Sequence, residues 1–129
     1  MAPGRRRDVR PSVLIVDDHD SFRSLARKML ETAGFAVTEA STGAEATEAA
    51  ASGCPRIVLL DIQRPDINGF DVAERLARQG RPKPVIVLTS TRDPSDFGRK
   101  IAAAPVAGFL PKEQLSGDAL LSFLPGLSP

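Results

Sequence analysis

The 129-residue sequence predicts an α/β protein, a parallel sheet covered by helices on both faces, from two observations. Short apolar runs alternate with longer amphipathic stretches, the pattern of strands joined by crossover helices. Three of the runs, Val13-Leu14-Ile15-Val16, Ile57-Val58-Leu59-Leu60 and Val85-Ile86-Val87-Leu88, contain no polar residue. Side chains alternate between the two faces of a strand, so a wholly apolar run belongs to a strand buried on both. The length suits one domain with one modest core. The expected organisation is a disordered basic arm over 1–11, a folded domain over 12–124 and a flexible tail over 125–129.

Taken in order, the first apolar run leads into a helix whose stripe is Phe22, Leu25, Ala26, Met29, Leu30 and Ala33, ending at Gly34. Phe35-Ala36-Val37-Thr38 is shorter and more mixed, which suits an edge strand. Thr42 followed by Glu45 reads as a capping box before an alanine-rich second helix. Cys54, beside Pro55, reads as a small buried or loop residue with nothing near it to stabilise a thiolate. After the run at 57–60, Asn68 is placed to cap a third helix with the stripe Phe70, Ala73, Leu76 and Ala77. Beyond the run at 85–88, Asp93-Pro94 offers a cap and a first-turn proline for a fourth helix reaching about Ala103. Ala107-Gly108-Phe109-Leu110 is the second edge-like run. Ser116 opens a fifth helix that buries Leu115, Ala119, Leu120, Phe123 and Leu124.

Charge narrows the function. Seventeen basic residues against sixteen acidic ones give +1. Arg5, Arg6, Arg7 and Arg10 with Asp8 put three net positive charges in the first eleven residues and leave −2 for the rest. That body is not the basic surface that nucleic acid attracts, so direct nucleic acid binding by this domain is not expected. A single cysteine and a single histidine argue against a disulfide framework or a structural zinc. No apolar run approaches the ~18 residues of a membrane span, and no apolar signal stretch follows the basic start. A cytoplasmic protein with no membrane contact is expected.

In an open parallel sheet, ligands bind along the edge formed by the C-terminal ends of the strands. Asp17 and Asp18 follow the first run, Asp61 follows the third, Thr89 and Ser90 the fourth, and Lys112 the fifth. Three carboxylates brought together would raise one another's pKa unless a divalent cation compensates them. A hard ion with oxygen ligands fits best, which is Mg2+. With a metal and a lysine beside it, Asp61 could serve as nucleophile toward a phosphoryl group. His19 has no second His or Cys at metal spacing and is expected as a solvent-facing loop residue, not as a ligand.

These elements, Asp17-Asp18, the segment from Asp61 through Gln63, Arg64 and Pro65 to Gly69, Thr89, and Gly108-Phe109-Leu110-Pro111-Lys112, resemble the receiver domain of bacterial two-component response regulators over about Ser12 to Leu124. The resemblance implies a flavodoxin-like, doubly wound sheet of order 2-1-3-4-5. It implies that Asp61 is phosphorylated by a sensor histidine kinase or a phosphotransfer protein. Asp18 would ligate magnesium directly, Asp17 through a water, Asp61 itself and the Gln63 backbone carbonyl completing the protein ligands. Thr89 would hydrogen-bond the incoming phosphoryl group and Lys112 would pair with its oxygens. Phe109 takes the place of an aromatic switch, although an edge-strand aromatic is ordinarily packing. The outcome would be a change of conformation read by a downstream protein, the chain itself being a monomer or a phosphorylation-dependent dimer.

Three positions depart from the family's pattern: Arg64 replaces a usual Met or Leu, Glu113 follows Lys112 where many members have proline, and Pro105-Val106-Ala107 precedes Gly108. None removes a reacting group. Other readings are weaker. An aspartyl-phosphate phosphatase would want a second aspartate where Gln63 stands, and a nucleotide binder would want a glycine loop where Asp17-Asp18-His19-Asp20 stands. A degenerate receiver that binds a partner without phosphorylation is disfavoured because every reacting residue is present. The chain is thus expected to be a signalling module and not an enzyme on external substrates. Leu124-Pro125-Gly126 shows no linker helix, which favours a stand-alone module.

Overall fold

A computed structural model describes residues 10–62, 69–79, 83–91 and 94–124. Five strands, β1 (Ser12–Val16), β2 (Ala36–Ala40), β3 (Ile57–Asp61), β4 (Val85–Thr89) and β5 (Gly108–Phe109), form one parallel sheet of order 2-1-3-4-5. Between and after them run α1 (Asp20–Thr32), α2 (Gly43–Gly53), α3 (Gly69–Gln79), α4 (Gly98–Ala103) and α5 (Gly117–Leu121). The order places the three wholly apolar runs at the centre, and the two mixed runs at the edges, as their composition demands.

Alternation along each strand divides the core in two. Val13, Ile15, Ile57, Leu59 and Val87 meet Leu30, Phe35 and Leu120 on one face. Leu14, Val16, Val58, Leu60, Ile86 and Leu88 meet Ala46, Val72 and Leu76 on the other. Each layer excludes water because adjacent side chains in a strand point oppositely.

The predicted helix signals are seen as bonds. Gly34 has φ +101°, and the Gly34 and Phe35 N–H groups donate to Glu31 and Leu30, closing α1 in a geometry that strains any residue with a Cβ. The Glu45 N–H donates to Thr42 Oγ1 at 3.1 Å, and the Glu45 carboxylate accepts from the Ser41 N–H at 2.8 Å. Ser116 Oγ accepts from the Ala119 N–H at 3.0 Å. Cys54 is the loop alternative: it is exposed, at φ 46°, where α2 ends. Asn68 and Asp93, the two other expected caps, lie outside the described residues, as do the arm through residue 9 and the tail at 125–129.

Two expectations need correction. Leu25, placed on the buried stripe of α1, is 60% exposed, because α1 rests on the sheet through Ala26 and Leu30 and turns Leu25 outward. The fourth helix spans the expected range, Pro94 to Ala103, with a 3-10 first turn (Pro94–Phe97) before the six α-helical residues, none of them fully buried, and Phe97 and Ile101 pack against the core. The fifth strand shrinks to Gly108–Phe109, since only Val87 and Leu88 of β4 pair with it.

Candidate functional site

Parallel register delivers the polar residues to one edge. Asp61 lies opposite Thr89 in the β3–β4 ladder. The Asp17 N–H, one residue past β1, donates to the Ala40 carbonyl, and the Leu110 and Lys112 N–H groups donate to Leu88 and Ser90, carrying the β4–β5 bonding three residues past β5. The side chains meet there: Lys112 Nζ is 2.7 Å from Asp17 Oδ2 and 3.4 Å from Asp61 Oδ2. Asp17, Asp61, Thr89 and Ser90 are all buried. Lys112 Nζ also stands 4.5 Å from the centre of the Phe22 ring, whose face favours a cation.

The acid pair is partly neutralised from within. Burial pushes the Asp17 carboxyl up, but the Lys112 ammonium and the hydrogen bonds from His19 outweigh it and hold Asp17 below the usual carboxylate range. Asp18 is less enclosed, yet its Oδ1 is a buried atom with no hydrogen-bond partner. An orphaned carboxylate oxygen among two further carboxylates is the donor set a hard dication takes, and Asp17, Asp18 and Asp61 fit Mg2+ on that ground.

His19 is solvent-facing as expected, 58% exposed, and its ring edge also borders the acid cluster: Nδ1 lies 2.9 Å from Asp17 Oδ1, 3.3 Å from Asp18 Oδ1 and 3.8 Å from Asp61 Oδ2. Its position directly after the acid pair was the available signal. The Asp61 carboxylate at the end of β3 joins Asp17 and Asp18 around the ring only in the folded sheet.

Thr89 and Phe109 occupy definite positions. The Thr89 hydroxyl donates to the Leu110 carbonyl at 2.6 Å, so it is turned toward the segment after β5. Phe109 is half-buried and packs against the α2–α3 side of the core. Gln63, Arg64 and Pro65 lie outside the described residues. Gly69 starts α3 against the end of β3: a Cβ there would come within 2.5 Å of Ile62 Cα and 2.9 Å of the Asp61 carbonyl oxygen, which explains the glycine.

Arg23 was not singled out from the sequence. It is 15% exposed and donates three hydrogen bonds, to the Asp17 carbonyl at 2.7 Å, Asp20 Oδ1 at 2.7 Å and Glu39 Oε1 at 2.8 Å. Arg27 holds the other Glu39 oxygen at 2.7 Å. One guanidinium thereby ties the acid loop to the edge strand β2. Only the β1–β2 register brings Glu39 to α1, and no local pattern announces it.

Beside Asp61 opens a groove of about 680 Å³, lined on α1 by Phe22, Leu25 and Met29 and across from it by Lys112 and Leu115. The Asp61 carboxylate thus borders an apolar wall.

The family model described as the response regulator receiver domain matches residues 13–123. A Pseudomonas aeruginosa protein described as a transcriptional regulator is 37% identical over 111 residues, 85% of this chain and 53% of that protein. The Bordetella pertussis virulence transcription regulator BvgA is 38% identical over 103 residues, 79% of this chain and 49% of BvgA. The chain therefore spans about half the length of these curated relatives. Among solved structures, the chemotaxis response regulator CheY4 of Vibrio cholerae superposes with a TM-score of 0.77 at 26% identity, over 90% of this chain and 97% of CheY4. A family match over almost the whole folded body, with the acid edge assembled at the strand ends where its motifs lie, establishes that this chain belongs to the receiver domains of two-component response regulators.

Proposed function

We propose that Asp61 accepts a phosphoryl group from a histidine kinase or phosphotransfer protein in a magnesium-dependent reaction, and that the β4–β5 side changes conformation in response. The carrying observation is the meeting of three carboxylates, a lysine and a threonine hydroxyl at one sheet edge, with Asp61 and Thr89 paired in register. In the reaction an Asp61 carboxylate oxygen forms the new P–O bond while the P–N bond of a phosphohistidine breaks, and the imidazole leaves with the electron pair. Asp18 and Asp17, with Asp61, would hold the magnesium ion, which supplies charge compensation as the phosphoryl group transfers. The Gln63 carbonyl completes that ligand set in this reading.

Lys112 and Thr89 convert the new charge into movement. Lys112 Nζ already reaches Asp61 Oδ2 and is placed to take a phosphoryl oxygen. The Thr89 hydroxyl can reach the phosphoryl group only by giving up Leu110, which frees the backbone beside Phe109. The apolar groove beside Asp61 suits a donor that presents its phosphohistidine from a helix face. Catalysis is confined in this reading to the domain's own phosphorylation and dephosphorylation, in the cytoplasm, and the output belongs to a partner.

The test is intact mass after incubation with a small phosphodonor and Mg2+. One added phosphoryl group is expected for the wild type and none for Asp61→Asn, with circular dichroism unchanged. Labelling that survives in Asp61→Asn would place the acceptor elsewhere. No labelling of a folded wild-type chain would favour the phosphorylation-independent binding module.

A further inference from the structure

We infer that His19 is a fourth protein ligand at the acid edge and gives the site a preference for nitrogen-seeking transition-metal dications over Mg2+. The inference rests on the proposed cation site and concerns which ions it selects. One ligand atom each from Asp17, Asp18, His19 and Asp61 lies within 4.8 Å of all the others. In an octahedral shell with bonds of ~2.1 Å, neighbouring ligand atoms stand roughly 3.0 Å apart and opposite ones ~4.2 Å. Nδ1 is 2.9 Å from Asp17 Oδ1, 3.3 Å from Asp18 Oδ1 and 3.8 Å from Asp61 Oδ2, separations that span this range.

The ring is held there and does not merely brush the cluster. His19 is the N-cap of α1 in an extended conformation, φ −92° and ψ 104°, and its N–H donates to Asp17 Oδ1 at 2.8 Å. The Arg23 bond to the Asp17 carbonyl anchors the same loop from the other side. Asp18 Oδ1, buried and without a hydrogen-bond partner, and the Asp17 carboxylate, almost wholly enclosed, face the same space. Mg2+ prefers oxygen and retains water, so an imidazole gains it little. Ni2+ and Co2+ bind imidazole well and stand above Mn2+ and Fe2+ in the general affinity order. On ligation Nδ1 gives up the proton it donates to Asp17 Oδ1, the ring keeping its N–H at Nε2, and the freed Nδ1 lone pair among carboxylates raises affinity for these ions selectively.

His19 is the only histidine of the chain, so any imidazole signal has one source once no tag is present. The experiment titrates the tag-free chain separately with Mg2+ and Ni2+ by calorimetry, and follows the histidine ring resonances with Ni2+. For wild type, Ni2+ binds more tightly than Mg2+ and broadens the ring signals at stoichiometric metal. His19→Gln weakens Ni2+ binding and lowers the Ni2+-over-Mg2+ preference by about tenfold or more. An equal change for both ions, tighter binding of both, or ring signals untouched by Ni2+ would overturn the inference. Asp18→Asn separates it from its foundation: loss of both ions supports the carboxylate site, and unchanged binding of both would remove that site altogether.

Discussion

On the β2–β1–β3 flank every strand is five residues long, β2 and β1 pair along their whole length, and Arg23 and Arg27 fasten a thirteen-residue α1 to Glu39 of β2. On the β4–β5 flank the last strand has two residues, α4 has six and none fully buried, and the Thr89 hydroxyl ties the edge to the Leu110 carbonyl. Both flanks meet at the acid edge. The first supplies Asp17, Asp18 and Asp61, and the second supplies Thr89, Phe109 and Lys112. Under the proposed function, the groups that would hold a dication sit on the well-tied flank and the groups that would respond to phosphorylation sit on the flank with shorter elements. The division teaches that rigidity and mobility in this site are properties of whole elements, set by burial and ladder length.

Truncation of core side chains tests the division most severely. Leu59→Ala, in the fully buried β3, is expected to cost ~2–5 kcal/mol, whereas Ile101→Ala, at the one half-buried position of the otherwise exposed α4, is expected to cost under ~1 kcal/mol. Chemical denaturation measures both. Equal costs would mean that α4 is as well anchored as β3 and would break the comparison.

Arg23→Ala sharpens it on the tied flank. Losing three hydrogen bonds is expected to cost about 1–2 kcal/mol and to weaken Mg2+ binding about tenfold, because the loop bearing Asp17 and Asp18 loses its clamp. Arg23→Lys keeps the charge but not the fork, so it recovers less than half of the lost affinity. Calorimetry showing wild-type Mg2+ affinity for Arg23→Ala would reduce Arg23 to an element of stability.

Thr89→Val probes the loose flank. It preserves shape and removes the donor to the buried Leu110 carbonyl, at a cost of about 1 kcal/mol. Phosphorylation at Asp61 persists in this variant, while the phosphorylation-dependent amide shifts around Phe109 disappear from its NMR spectrum. Survival of those shifts would assign the coupling to Lys112 alone.

The smallest effect is a pH dependence of the tied flank. The hydrogen bond from Arg27 is the largest influence on Glu39 and, with Arg23, it outweighs partial burial to hold the carboxyl below its ordinary value of 4.5. A carboxyl depressed by folding stabilises the native state above the unfolded pKa, and that contribution is lost as pH falls through the folded value. Its size is under ~1 kcal/mol at a partly exposed pair. Glu39→Gln should therefore flatten the fall in thermal stability below about pH 4.5, leaving the share due to Asp17, which has the same sign. An unaltered slope would show that the pair is fully solvated.

Much of this design is local and was legible. Apolar runs predicted all five strands, caps at Thr42 and Ser116 predicted two helix starts, and the rule that parallel strands present one common end located Asp17, Asp18, Asp61, Thr89 and Lys112. These features depend on residue type and near-neighbour spacing, which a sequence states directly. Other features exist only after assembly. Arg23 finds Glu39 sixteen residues away through the β1–β2 register. His19 becomes a neighbour of Asp61 only when β1 and β3 lie side by side. Leu25 obeys the helical period yet stays exposed, because periodicity marks a face and packing decides how far round the helix that face is covered. The fifth strand fell short of its sequence signal for the same reason: its length is set by how much neighbouring strand it can pair with, and that surface belongs to the tertiary structure.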